Sequence, residues 1–600
     1  MKNKETKPVK WTLRKIKTLK RTDGLKLRRV ASYTMRSVVE CSTSRYAKRL
    51  ALCTYQDDQS AITYSQLKRM AVNIGLYLLE NGFVKGDKIA ILGESSPLWL
   101  VFYLGMTSVG IIAVPVLPDF SSKDVDTIIK TSKVKAVAVN IKQFEKCIPL
   151  FEDSLRLIRL DDLFEIPVFM EKQLENKDQF ASAPGNDLTR YKARKGWEKL
   201  YEENEPDEDD LASIIFTSGT TGKSKGVMLT HKNLVWNADI CADKYTRIKP
   251  GYRALSILPL SHVYEFTTGQ ILMLLCGAEI HYLGRPPVPS IMMPALKKVR
   301  PQIMLTVPLL IEKVYKSAVK PVFENNMKLQ FWLNWGPSRK FISRIVGRKL
   351  KLAFGGKLTF YGIGGAPLDK QVEKFLRDAK FPYAEGYGLT ETSPMICGHG
   401  PKDHPLGVLG TIIEGESVRL DDINSEGVGE ILVKGPNVMK GYYENDALNK
   451  ECFTADGYFR TGDLGSFDKK GRLSLKGRTK TMILGSGGEN IYPEIIESVI
   501  NNQSFVTESL VVPEDGGLLA LVKIDLESFA KNMAMNASDA RAEAAKYLAR
   551  IRQEVNKDLS SFSKISSMKL QEEPFERTPT LKIKRFLYGM KKTDDKKKEI

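Results

Sequence analysis

Residues 214–227 read Ile-Ile-Phe-Thr-Ser-Gly-Thr-Thr-Gly-Lys-Ser-Lys-Gly-Val, an apolar strand that runs straight into a loop of Thr, Ser, Gly and Lys. Such a loop suits the holding of a polyphosphate. Glycine lets backbone N–H groups approach closely and point inward, hydroxyls donate hydrogen bonds, and lysine supplies countercharge. The spacing is not that of the Walker loop, because Gly222-Lys223-Ser224 would need glycine at 217 and finds Thr217. A short Gly/Ser/Thr run is usually a solvent loop. Fourteen residues in this order, entered from a strand, argue instead for a phosphate site drawn from Thr217, Ser218, Gly219, Thr220, Thr221, Gly222 and Lys225.

Further segments follow in order. Gly364-Gly365-Ala366-Pro367-Leu368 reads as a strand-end turn. Glu385-Gly386 leads into Tyr387-Gly388-Leu389-Thr390-Glu391-Thr392, where a ring suits an adenine face and a carboxylate suits a hard cation. Then come Tyr458-Phe459-Arg460-Thr461-Gly462-Asp463, Gly477-Arg478-Thr479-Lys480 and Arg577-Thr578-Pro579-Thr580-Leu581-Lys582-Ile583-Lys584-Arg585. Each alone is weak, since a Thr-Gly-Asp is usually a turn and a lysine near a C-terminus is usually solvated. Together, over roughly residues 60 to 590, they resemble the adenylate-forming (AMP-binding) superfamily of acyl- and aryl-CoA synthetases, luciferases and peptide-synthetase adenylation domains.

The resemblance implies roles. Tyr387 would stack on adenine against a wall formed by Gly365, Ala366 and Pro367, with Glu385 and Gly386 beside it. Thr390 would meet phosphate, while Glu391 and Thr217 would hold Mg²⁺. Asp463 would take both ribose hydroxyls. Arg478 and Lys480 belong to the hinge motif, with Lys480 at the pivot, and Lys582 would serve adenylation. Ser486-Gly487-Gly488 resembles the loop lining a pantetheine tunnel. His262, in Leu258-Pro259-Leu260-Ser261-His262, falls where the family has a histidine or aromatic beside the substrate carboxylate; a lone histidine is otherwise usually structural.

The implied fold is α/β: a large N-terminal region of two α/β subdomains with a distorted β-barrel, then a small mobile α+β lid. We expect a basic lead over 1–45, an AMP-binding domain over 46–480 and a lid over 481–600. Local pattern agrees with parallel βαβ layers. Residues 64–81 have helical periodicity, 88–92 read as a strand, 97–109 as a helix, 110–117 as a strand and 136–139 as another. Residues 169–210 read as a polar surface insertion. Strands near 509–512 and 518–524 precede an Ala-rich helix from Asn536 to Lys557. The uncharged run from Ser95 to Pro118 is long enough to cross a bilayer, but its glycines and prolines mark it as core.

Seven scattered cysteines without a CxxC pair fit a reducing compartment and no structural zinc. The net charge of +20 is concentrated. Residues 1–30 hold twelve Lys/Arg against Glu5 and Asp23, residues 325–368 hold eight with no acid, and 580–600 hold eight against three acids. Such patches attract a polyanion; the bland reading of the two termini is solvated tail. In the middle patch Phe331, Trp332 and Trp335 precede Arg339, Lys340, Phe341 and Arg344, a mixture that suits a headgroup region. No nucleic-acid fold signature is present, so an anionic membrane surface is the expected contact. The expected location is cytoplasmic and peripherally membrane-bound, as the first residues lack the apolar core of a secretory signal.

The resemblance implies activation of a carboxylic acid by ATP through an acyl-adenylate, followed by thioester formation with coenzyme A. Relatives specific for acetate carry Trp at the position of Gly388. Leu581 before Lys582, in place of the common glycine, is frequent in long-chain fatty acyl-CoA synthetases. Long-chain fatty acid is therefore the expected substrate. An acyl carrier protein could replace coenzyme A, and homodimerisation is compatible with the resemblance. A peptide-synthetase unit is disfavoured by the short chain beyond the lysine motif. A non-catalytic nucleotide-binding scaffold would be expected to have lost Lys582 or Glu391, and both are present.

Overall fold

Thr63 and Gln66 cap the helix Tyr64–Glu80 reciprocally: the Thr63 side chain accepts from the Gln66 N–H, and Gln66 Oε1 accepts the Thr63 N–H at 2.8 Å. Ser96 caps the next helix, Pro97–Thr107, whose first residue is proline and whose side chains are all buried but Leu98. These two helices pack on one another and lead into the buried strand Ile112–Val116. The uncharged run is thus core, as its breakers imply. Among the described residues no helix is long and apolar enough to cross a membrane.

The computed structural model describes residues 29–148, 155–167, 170, 174–218, 224–244, 248–324, 336–401, 405–484, 490–514, 517–560, 563–578 and 583–589. Two large sheets carry the fold. In the nine-stranded sheet, Leu211–Ser218 lies parallel to Ile112–Val116, followed by Lys88–Leu92, Ala136–Val139 and Arg156–Arg159. In the thirteen-stranded sheet a parallel half joins Leu50–Thr54, Glu279–Tyr282, Arg253–Ser256, Ile303–Thr306, Phe360–Ile363 and Tyr383–Gly388. Beyond Tyr383–Gly388 the ladder turns antiparallel through Met395–Gly398, Gly410–Ile412, Arg472–Arg478, Phe459–Phe467, Gly429–Lys434 and Ser417–Asp421.

The α/β architecture is as expected, with one correction. The antiparallel half continues the main sheet and ends at Ser417–Asp421, so no closed barrel forms among the described residues. Two other readings change. Within the N-terminal lead, residues 29–45 are not a solvated arm: Val30, Tyr33, Met35, Val38 and Val39 are each 7 % exposed or less and join the main core, the last three from the helix Met35–Tyr46. The polar stretch 174–210 is pinned by buried Phe180, Leu188 and Tyr201, and Arg159 donates to the Phe180 and Ala183 carbonyls. All seven cysteines are buried, and none of them forms a disulfide.

A separate apolar cluster joins Ile491, Ile496, Val511, Val522, Phe529, Leu548 and Ile565. It underlies a three-stranded sheet of Val506–Glu514, Gly517–Ile524 and Ser567–Leu570, covered by the helix Ala537–Asp558.

Candidate active site

The phosphate-loop strand pairs with the segment that follows its loop. Leu211–Ser218 and Ser224–Thr230 form a hairpin in which Thr217 stands opposite Lys225 and Ser218 opposite Ser224. Gly219, Thr220, Thr221 and Gly222 lie outside the described residues. So do Ser486, Gly487 and Lys582, while Ser218 is described in its backbone alone.

The Tyr383–Gly388 strand ends at the 389–392 turn. Tyr387 is buried, and its hydroxyl donates to Asp463 Oδ2 at 2.8 Å. Asp463 stands opposite Arg478 in the neighbouring ladder, and Arg478 Nε lies 2.9 Å from Asp463 Oδ1. The buried carboxylate next to Tyr387 raises the energy of its phenolate and pushes the phenol above its ordinary pKa, after burial itself. Three predicted residues, far apart in sequence, are therefore one unit. A carboxylate has about four acceptor sites, so Asp463 can accept further hydroxyl donors while keeping both protein contacts.

Glu391 is held differently. Tyr442 donates its hydroxyl to Glu391 Oε1 at 2.8 Å, and Lys225 Nζ sits 5.2 Å from the Tyr442 ring centroid. Burial, then the Glu391 charge, raises the Tyr442 phenol, so it stays a donor. A neutral donor keeps Glu391 oriented without neutralising it, which suits a magnesium site built from one carboxylate and substrate phosphates. Among the described residues no cluster of three His, Cys, Asp or Glu could hold an ion without such help.

Buried asparagines fix the turn between these groups. Asn437 Nδ2 donates to the Thr392 and Met395 carbonyls, and Asn237 both donates to Met395 O and accepts from Met395 N. Tyr442, Asn437 and Asn237 carry no signal in the sequence, because their partners lie 42 to 158 residues away.

An apolar cavity adjoins the strand, with about 490 Å³ of empty space, part of it open to solvent. Tyr264, Leu272, Met273, Leu305, Ile363, Gly386 and Met395 line it, with Glu385 and His399 as polar members. Burial and then Glu373 push the Glu385 carboxyl up to about 8, and its Oε1 is enclosed without a hydrogen-bond partner. Gly365, at φ +87°, turns the chain at the strand end and leaves Gly365, Ala366 and Pro367 exposed as a wall. Tyr264 rather than His262 lines the cavity; His262 Nδ1 accepts the Tyr264 N–H at 3.3 Å. Its loop is pinned by Ser95, which donates to Leu258 O and accepts from Leu260 N.

Gly388 has a different reason from the one its motif suggested. A Cβ there would stand 1.7 Å from the Pro394 carbonyl oxygen. The backbone here leaves no room for a side chain, and Gly388 is absent from the cavity lining. Thr390 lies partly exposed in the 390–392 turn, its carbonyl accepting from Ser393 N, and Lys480 is exposed just after the Arg472–Arg478 strand.

Sequence comparison places the chain among characterised proteins. A long-chain-fatty-acid–CoA ligase, FadD15 of Mycobacterium bovis, is 27% identical over 91% of this chain and 93% of its own length. The chloroplastic long-chain-fatty-acid–[acyl-carrier-protein] ligase AEE15 of Arabidopsis thaliana is 27% identical over 91% of this chain and 83% of its own. The structure of ATP-bound MatB from Rhodopseudomonas palustris superposes with a TM-score of 0.70 at 23% identity, covering 92% of this chain and 98% of that one, which shows a shared fold. The model of the family described as AMP-binding enzyme matches residues 39–443. With two-thirds of its length matched, the chain belongs to the AMP-binding enzyme family, the adenylate-forming enzymes.

Proposed function

We propose that the protein joins a long-chain fatty acid to coenzyme A in two steps, with ATP cleaved to AMP and pyrophosphate. The observation that carries this reading is the single strand Tyr383–Gly388. Its Gly386 and Ala384 face the apolar cavity, and its Tyr387 is tied to Asp463 and Arg478. An acyl chain and a nucleotide would thus meet at one strand end, where open α/β sheets place their ligands.

In this reading Tyr387 and the Gly365–Pro367 wall orient adenine, and Asp463 orients ribose. Thr217, Lys225 and the loop residues Ser218, Gly219, Thr220, Thr221 and Gly222 receive the leaving phosphates. Thr390 meets phosphate, and Glu391 with Thr217 holds the metal. Bound Mg²⁺ would supply countercharge to phosphate oxygens. Lys582 aligns carboxylate with the α-phosphate, which lowers the barrier through positioning and charge rather than through covalent participation. His262 orders the loop beside the carboxylate. Rotation at Lys480 then replaces the Lys582 face with the Ser486-Gly487 loop for thiol attack. The substrate assignment is supported by the apolar cavity and by relatives named for long-chain fatty acids.

The name of the Arabidopsis relative supports a second reading, in which the thiol belongs to an acyl carrier protein. Peripheral contact with an anionic membrane from the cytoplasmic side, and a homodimer, complete the proposal. The deciding measurement is pyrophosphate release from ATP and Mg²⁺ with palmitate, acetate or benzoate, with and without coenzyme A. Palmitate-dependent release with turnover only on adding coenzyme A supports the first reading. Release without turnover favours the carrier protein, and no release with any acid overturns both.

A further inference from the structure

We infer that the outward face of the helix Gly336–Ala353 docks on an anionic lipid bilayer, lying flat among headgroups with Phe341, Ile345 and Leu352 inserted. The inference rests on the membrane part of the proposed function and is independent of its chemistry. The aromatic residues 331–335 that the sequence emphasised lie outside the described residues, and the helix that follows supplies its own apolar stripe.

The helix holds Arg339, Lys340, Arg344, Arg348, Lys349 and Lys351 and no acidic residue. Phe341 is 64% exposed, Ile345 43% and Leu352 71%. At about 100° per residue these three fall within an arc of about 40°, with Arg348 beside them and Arg344 and Lys349 on the two flanks. The opposite face is committed to the core. Ser343 and Leu350 are buried, Val346 packs on the cluster around Leu296 and Phe375, and Gly347 lies so close to Ala379 that a Cβ would come within 2.6 Å. Arg339 is turned inward to Asp378, Nε to Oδ2 2.9 Å. The helix therefore cannot roll its apolar stripe inward.

Among the described residues no carboxylate pairs with Arg344, Arg348 or Lys349 within ion-pair distance. A stripe of large apolar side chains between long cationic ones matches the boundary between headgroups and acyl chains, where the cations extend outward to phosphates while their stems and the stripe stay apolar. A free phosphate would engage the cations and leave Phe341 and Leu352 in water. The bilayer satisfies both sets of groups, and it also concentrates a long-chain acid next to the enzyme.

The test uses the full chain and co-sedimentation with phosphatidylcholine vesicles, with or without phosphatidylglycerol, in the absence of ATP and acid. Because no turnover is read, a catalytically silent protein still answers. Near an anionic surface each cation is worth about fivefold in partitioning, so R344Q/R348Q/K349Q should bind phosphatidylglycerol vesicles more than tenfold more weakly. F341S/I345S/L352S should lose at least tenfold as well. Both should keep the wild-type unfolding midpoint, since these side chains point outward. An environment-sensitive dye on I345C should shift to the blue on adding anionic vesicles. Wild-type binding by either triple variant, loss in the charge variant alone, no dye shift, or no binding of the unaltered protein would each overturn the proposal.

Discussion

The hydroxyl of Tyr387 donates to Asp463 Oδ2 across 2.8 Å, so the ring proposed to carry adenine and the carboxylate proposed to carry ribose move as one group. Tyr387→Phe keeps the ring and removes that tie. The KM for ATP should rise about tenfold with kcat nearly unchanged, equivalent to about 1.4 kcal/mol, within the reach of a hydrogen bond to a charged group. Steady-state kinetics with varied ATP decide it, and an unaltered KM removes the tie from nucleotide binding.

Tyr442 orients Glu391 through a 2.8 Å hydrogen bond. Tyr442→Phe should leave the fold intact and shift the Mg²⁺ concentration for half-maximal pyrophosphate release upward by about three- to tenfold, roughly 0.6–1.4 kcal/mol. Thiolysis of a supplied acyl-adenylate should be unaffected. An unchanged Mg²⁺ titration would make Tyr442 a packing residue.

Lys582→Ala should slow adenylation by roughly two to four orders of magnitude, the scale of lost preorganised charge at a reacting centre. Conversion of supplied acyl-adenylate and coenzyme A to thioester should persist. Equal loss of both half-reactions would withdraw the assignment.

Gly388→Ala tests the backbone account of that glycine. With a Cβ forced to 1.7 Å from Pro394 O, the 388–395 turn must shift, and stability should fall by about 3 kcal/mol or more. A folded, stable variant with altered chain-length preference would restore Gly388 to the acyl pocket.

Glu265 is fully buried, accepts from Ser256 and Gln270, and is pushed up to about 7 by burial. Its folded value lies above the unfolded one, so the folded state binds the extra proton. Stability is therefore full below about pH 4.5 and declines as pH rises to about 7, then levels. Glu265→Gln should flatten that slope in denaturant titrations between pH 4.5 and 8. A slope identical to wild type would show that Glu265 is not the titrating group.

Much of this was legible because the motifs are local. Strands around Ile214 and Val114, the helix from Pro97 and the Ala-rich helix to Asp558 each announce themselves by apolar spacing and caps. The strand entering the phosphate loop was readable, but its antiparallel partner Ser224–Thr230, whose register sets Thr217 against Lys225, came from the structure. What escaped reading is nonlocal. Tyr442 and Glu391 are 51 residues apart, Tyr387 and Asp463 are 76 apart, and nothing near either end names its partner. The crowding at Gly388 is nonlocal in the same way, since the atom that excludes a side chain belongs to Pro394 on the return of the turn. Closure of the antiparallel strands depends on the pairing of Ser417–Asp421, which composition does not encode.

Arg478 grips Asp463 from a strand that ends two residues before Lys480. The swivel proposed at Lys480 would then be geared to the carboxylate proposed to hold ribose. Nucleotide occupancy and lid orientation should then bias each other by one common factor, as reciprocal linkage requires. Release of AMP and rearrangement of the lid would share a single latch, and the enzyme would keep time by it.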